Sequence, residues 1–187
     1  MRVRTILIMA SLVVALGVAF FVTRRPPASQ PQPPQSFIWS VDTGTLSRIS
    51  IRLPRVGKSE SWVKHEDQYW YFDRPKGPRV DMKRWGGGVP LLLSGPRASR
   101  LIAENASESQ FETYGLASPQ MRIELALQDK KTIAIEVGDE TPDNQACYIR
   151  VMSSRDVYTV DLTWCEVLER LVLDPPYPRA PDLEKES

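Results

Sequence analysis

His65 is the only histidine in the 187-residue chain and stands beside Glu66 and Asp67. A Ser/His/Asp site would need serine and aspartate brought to it from distant segments, and no nucleophile-elbow sequence supplies the serine. The spacing puts His65 in a turn, where an exposed histidine is the simpler reading. Gly57-Lys58-Ser59 resembles the end of a phosphate-binding loop. That loop needs another glycine where Arg52 stands, and it opens a helix, whereas this tripeptide joins two strands. Ser61 and Lys64 have Ser-x-x-Lys spacing, but a strand sends them to opposite faces. No group of histidines and cysteines has zinc spacing. Asp139, Glu140, Asp143 and Asn144 form the densest acidic loop and carry the hard oxygen ligands that calcium takes. They lack the EF-hand order and its distal glutamate, so a solvated hairpin loop is the favoured reading. The sequence therefore names no catalytic residue, no metal ligand and no cofactor, and the chain reads as non-enzymatic.

Two other groups carry chemistry of a softer kind. Cys147 and Cys165 could pair outside the cytoplasm, but isolated cysteines are also common core residues, and both readings stay open. Trp62, Tyr69, Trp70, Tyr71 and Phe72 make an aromatic cluster. Alternation puts Trp70 and Phe72 on one strand face and Tyr69 and Tyr71 on the other. Trp62, Tyr69 and Tyr71 are the candidate interaction surface, for a partner or a sugar, since exposed aromatics favour interfaces. The competing reading is ordinary cross-strand packing.

The elements that must hold these residues follow from periodicity. Leu46–Leu53 alternates, with Ile49, Ile51 and Leu53 on one face of a strand. Ser61–Lys64 with Tyr69–Asp73, Met121–Leu127 with Thr132–Val137, and Cys147–Met152 with Asp156–Val160 read as three hairpins, hence a largely antiparallel sheet. Asp81 and Asp161 are helix N-caps. The helix after Asp161 has an apolar stripe of Leu162, Val167, Leu168, Leu171 and Val172. The one after Asp81 is interrupted by Gly86-Gly87-Gly88 and Pro90, so a break is expected there. A short helix covers Glu108–Tyr114 and ends at Gly115. Hairpin, Val80-Asp81-Met82 and a helix with Trp85 recur as hairpin, Val160-Asp161-Leu162 and a helix with Trp164. The fold class is α+β, with two or three helices and two copies of a ββα-type unit sharing one sheet.

Ile6 to Val22 is uncharged, with Ser11 its one polar residue. As a helix, residues 5–23 would span about 28 Å, close to the roughly 30 Å of a hydrocarbon core. The run exceeds a usual signal-peptide core and is followed by Arg24-Arg25-Pro26-Pro27, not by small residues, so an uncleaved anchor is expected. Residues 26–36 form a proline-rich spacer, 37–174 the α+β domain, and 175–187 a proline-rich, charged tail. The tail lies extended on the body or is disordered. Charge is nearly balanced, 24 Lys and Arg against 23 Asp and Glu. Four arginines (Arg2, Arg4, Arg24, Arg25) and no acid fall in residues 1–25, so the remainder carries a net −3. Such a body lacks the basic surface that nucleic-acid binding requires. The arginine flanks and the spacer favour a cytoplasmic N-terminus and an extracytoplasmic body.

Tyr114-Gly115-Leu116 with Pro119, Gly138 with Thr141, Tyr148-Ile149-Arg150, and Val157-Tyr158 with Val160 stand in an order that resembles domain-of-unknown-function family 4340. Trp70 with Pro75 and Val80-Asp81 resembles an earlier stretch of that family, so the resemblance covers about residues 44–173. It implies a membrane-anchored, extracytoplasmic protein associated with ABC-type exporter or gliding-type components. No catalytic residue is carried over. Tyr114, Gly115, Leu116, Pro119, Gly138, Tyr148 and Tyr158 read as structural positions: Gly115 ends a helix, Leu116 packs back, and Pro119 opens a strand. The leading expectation is a non-enzymatic partner of another envelope or membrane protein, anchored in the bilayer by residues 5–23. A cell-wall or polysaccharide-binding module is the alternative, and an extracytoplasmic hydrolase is the weakest of the three.

Overall fold

The computed structural model describes residues 37–85 and 88–178. The apolar run at residues 5–23 with its arginines, the spacer at 26–36 and the end of the tail lie outside the described residues. Among the described residues no helix is long and apolar enough to cross a membrane.

Among the described residues, period-two alternation resolves into eight strands: β1 (Leu46–Leu53), β2 (Lys58–Lys64), β3 (Trp70–Phe72), β4 (Arg100–Ala103), β5 (Met121–Leu127), β6 (Thr132–Glu140), β7 (Ala146–Val151) and β8 (Val157–Asp161). They form one sheet in the order β3-β2-β1-β5-β6-β7-β8-β4, antiparallel throughout. The helices are α1 (Met82–Trp85), α2 (Val89–Leu93), α3 (Glu108–Thr113) and α4 (Leu162–Leu173). The class is α+β, and the three hairpins stand where alternation puts them. Strand β4 is an addition. It is four residues long and pairs with the distant β8, so no hairpin signal marks it.

The sheet divides at the β1–β5 pair into two sides whose elements run in a similar order. On one side run β1, β2 and β3, a single bridge between Tyr71 and Arg79, then an Asp81-capped helix. On the other run β5, β6, β7 and β8, then the Asp161-capped α4. Asp81 accepts from the Lys83 N–H and Asp161 from the Thr163 N–H, each at 2.9 Å. Both sides thus share one element order, and the unit common to the two copies is longer than the ββα unit read from the sequence. It is a four-strand meander and a helix, with the fourth strand of the first copy reduced to the one bridge.

One sheet face is dry. Ile49, Ile51, Ile123, Leu125, Ile149 and Val160 pack under Trp85, Leu93, Leu168 and Val172. Each fully buried side chain of this size contributes about 1.5–3 kcal/mol. The Trp164 indole donates to the Leu92 carbonyl at 3.0 Å and the Trp39 indole to that of Leu93 at 3.0 Å, which ties α2 to its surroundings despite its five-residue length. Cys147 and Cys165 form a disulfide that fastens α4 to β7, with Cα atoms 6.9 Å apart. The tail as far as Pro178 lies on this side. Asp81 N–H donates to the Pro176 carbonyl at 2.9 Å, and the Tyr177 ring stacks on Phe72 at 4.2 Å.

Candidate functional site

Strand pairing separates the three aromatics read as one surface. Trp62 lies opposite Phe72, Val63 opposite Tyr71 and Lys64 opposite Trp70. Residues directly opposite share a face, so Trp62 joins Phe72 and Trp70 on the dry side. It is fully buried, edge-on to Trp85 at 4.9 Å. Trp62 is therefore a core residue, and the surface reading is corrected for it. Tyr69 and Tyr71 remain outside.

These tyrosines form the tip of the β2–β3 hairpin. The turn closes by His65 N–H donating to the Tyr69 carbonyl at 3.0 Å, with Gln68 at φ +68°. The Tyr71 ring stacks on His65 at 4.2 Å and its hydroxyl donates to Asp67 at 2.7 Å. The Tyr69 N–H holds the other Asp67 oxygen at 3.0 Å. These two bonds, the Tyr71 one foremost, keep the Asp67 carboxyl below the usual aspartate range. Arg79 lies across the exposed Tyr69 ring, 3.4 Å from its centroid. Two tyrosines, one histidine and one arginine are thus fixed at one solvent-facing edge. Sequence reasoning missed Arg79, whose only signal is its place two residues before the helix cap.

Behind the tip, the outer face of β2, β1 and β5 is open and polar. Ser50 and Ser61 hydroxyls bond each other at 2.9 Å, Arg48 pairs with Asp73, and Arg52 approaches Glu124 at 4.0 Å. Ser61 accordingly stands on the face away from Lys64, as strand geometry requires. Further along, the buried Glu136 on β6 takes Arg122 of β5 at 3.2 Å and Arg150 of β7 at 2.6 Å. The register places all three directly opposite one another. The sequence signal was there, an acid inside an apolar strand with an arginine fourteen residues to either side.

Over β6 to β8 the outer face is partly covered. Helix α3, closed at its start by a Ser107–Gln110 capping box, carries Phe111 and Leu116 onto Val157. Arg150 lies 4.0 Å from the Phe111 ring centroid, and Arg155 bonds the Ala106 carbonyl at 2.6 Å. The family-type residues make the join. Gly115 has φ +69°, a conformation that favours glycine. Asp139 N–H donates to the Tyr114 carbonyl at 2.9 Å, which brings that oxygen within 2.1 Å of where a Cβ on Gly138 would lie. Leu116 and Pro119 are buried, and Tyr114 packs on Tyr148 at 4.7 Å. Arg55 closes the join from the first copy, bonding the Ser118 carbonyl at 2.6 Å and Asp139 at 2.7 Å. Tyr158 stands apart, on the opposite face beside Ile149. Burial, then Asp156, pushes its hydroxyl above the usual tyrosine range.

The remaining candidates are placed simply. Gly57, at φ +66°, turns the chain between β1 and β2. Asp139 is held by Arg55 and Asp143 by the Thr141 hydroxyl at 2.5 Å. Among the described residues no three acids, histidines or cysteines are grouped to hold a metal.

Residues 92–173 match the model of a family described as Domain of unknown function (DUF4340). The match agrees with the family resemblance read from the sequence and falls on the second copy of the fold, while residues 44–91 lie outside it. No curated protein and no solved structure matches the chain.

Proposed function

We propose that, with a family-type second copy as its scaffold, the chain is a membrane-tethered, extracytoplasmic interaction domain. Its partner is another protein of an envelope or ABC-type transport complex. The hairpin tip carries this reading: Tyr69, Tyr71, His65 and Arg79 are ordered at an exposed sheet edge before any partner arrives. Tyrosine and arginine are enriched where binding energy concentrates, and groups already held in place lose less entropy on docking. The Cys147–Cys165 disulfide supports an oxidising compartment. The uncharged run at residues 6–22 supports the tether.

The test is affinity capture of the full-length protein from detergent-solubilised membranes, beside a Tyr69→Ala/Tyr71→Ala double variant. A partner recovered in stoichiometric amount with the parent, and reduced at least about tenfold with the variant, is expected, since two interface anchors are removed. Equal recovery with both proteins, or recovery of the chain alone in several mild detergents, would overturn the reading.

A further inference from the structure

The outer face of the second copy holds a polar cleft of about 470 Å³. Three strands build its floor. Tyr148 of β7 lies directly opposite Thr159 of β8, and Thr159 directly opposite Arg100 of β4, so the three side chains stand in one row. Asp143 and Gln145 flank the row from the β6–β7 loop, and Asp161 flanks it from the start of α4.

Two of these groups are unusual. Thr159 is only 3% exposed as a residue, and it lines the cleft beside Tyr148. Hydroxyls set in the floor of a cleft and reachable from it are commonly answered by a ligand or an ordered water. Burial, with Tyr114 and Asp143 close by, holds the Tyr148 hydroxyl above the usual tyrosine range, so it stays protonated and can both donate and accept. Asp161 spends one oxygen on its helix cap, and Asp143 one oxygen on Thr141 and the Gln145 N–H. The second oxygen of each carboxylate is left to accept, while Arg100 supplies donors. Two carboxylates against one guanidinium disfavour an anion. Mixed donors and acceptors beside a tyrosine ring suit a ligand bearing many hydroxyls and no charge.

We infer that this cleft binds a neutral glycan, with the Thr159 and Tyr148 hydroxyls and Arg100 contacting sugar hydroxyl or acetamido oxygens. Every residue that lines it falls within the segment shared with the family. The site is separate from the hairpin tip, so the two readings stand or fall independently.

The experiment is NMR titration of ¹⁵N-labelled full-length protein in micelles with tetra-N-acetylchitotetraose and with isomaltotetraose. The expected result is saturable shifts at Ser99, Arg100, Gln145, Tyr148 and Thr159 with at least one of these sugars. Thr159→Val and Tyr148→Phe remove a hydroxyl each with little change of shape, and each should weaken binding about tenfold. Arg100→Gln, on an exposed edge strand where misfolding is not a concern, should weaken it comparably. No shift with either sugar at millimolar concentration would overturn the inference. So would shifts centred on Tyr69 and Tyr71, or affinities unchanged in all three variants.

Discussion

Tyr71 and Tyr148 occupy matching places in the two copies. Each lies on the outer face of its copy's third strand, opposite a residue two positions before a helix-capping aspartate: Arg79 in one case, Thr159 in the other. Their surroundings differ. Tyr148 is packed by Tyr114 under the α3 cover, in a copy with a full fourth strand, a continuous α4 and a disulfide. Tyr71 lies against His65 at an open edge, in a copy whose third strand has three residues and whose described helices, α1 and α2, have four and five. One architecture thus yields a braced half and a display half. The family match falls on the braced one.

The largest effects should come from breaking the brace. Gly138→Val would put a Cβ 2.1 Å from the Tyr114 carbonyl oxygen and should cost about 3 kcal/mol. Gly57→Ala, in the display half, has open space and should cost only about 1 kcal/mol for its left-handed backbone. Urea midpoints of the two variants measure the contrast. Replacing both cysteines by alanine should lower stability by about 3 kcal/mol, and reductant should then have no further effect on the melting temperature. Glu136→Gln leaves Arg150 with its charge unanswered between strands. With Arg122 half-exposed and solvated, the loss should be about 2 kcal/mol by the same denaturation.

Much of this contrast was legible in the sequence, and its gaps have physical causes. The hairpins and both aspartate caps each rest on local chemistry, and each stands where local rules put it. The position of Trp62 was not legible, because alternation fixes faces within a strand while only the register with β3 says which face Trp62 shares. Arg55 was missed for a related reason. It reaches Ser118 and Asp139 through pairing of β1 with β5, which a single sequence does not announce. The cleft residues Thr159 and Arg100 meet only because β4 returns to β8.

The smallest effects belong to the display half. Tyr69→Ala and Tyr71→Ala should each change stability by less than about 1 kcal/mol, since they cover no core. Asp67 sharpens the point. Its carboxyl is held low by the Tyr71 hydroxyl and the Tyr69 N–H, so its contribution is present above the ordinary aspartate range and lost as pH falls through the lowered folded value. Acid titration followed by Tyr71 ring resonances should show the tip loosening below that range while the β5–β8 amides stay unchanged.

Site-directed photo-crosslinking in native membranes tests the central claim most directly. A photoreactive amino acid at position 69, on the tip, is compared with one at position 166, on the exposed side of α4. The account predicts a discrete adduct with one other membrane or envelope protein from position 69 and none from position 166. Adducts of equal yield from both positions, or none from position 69, would contradict it.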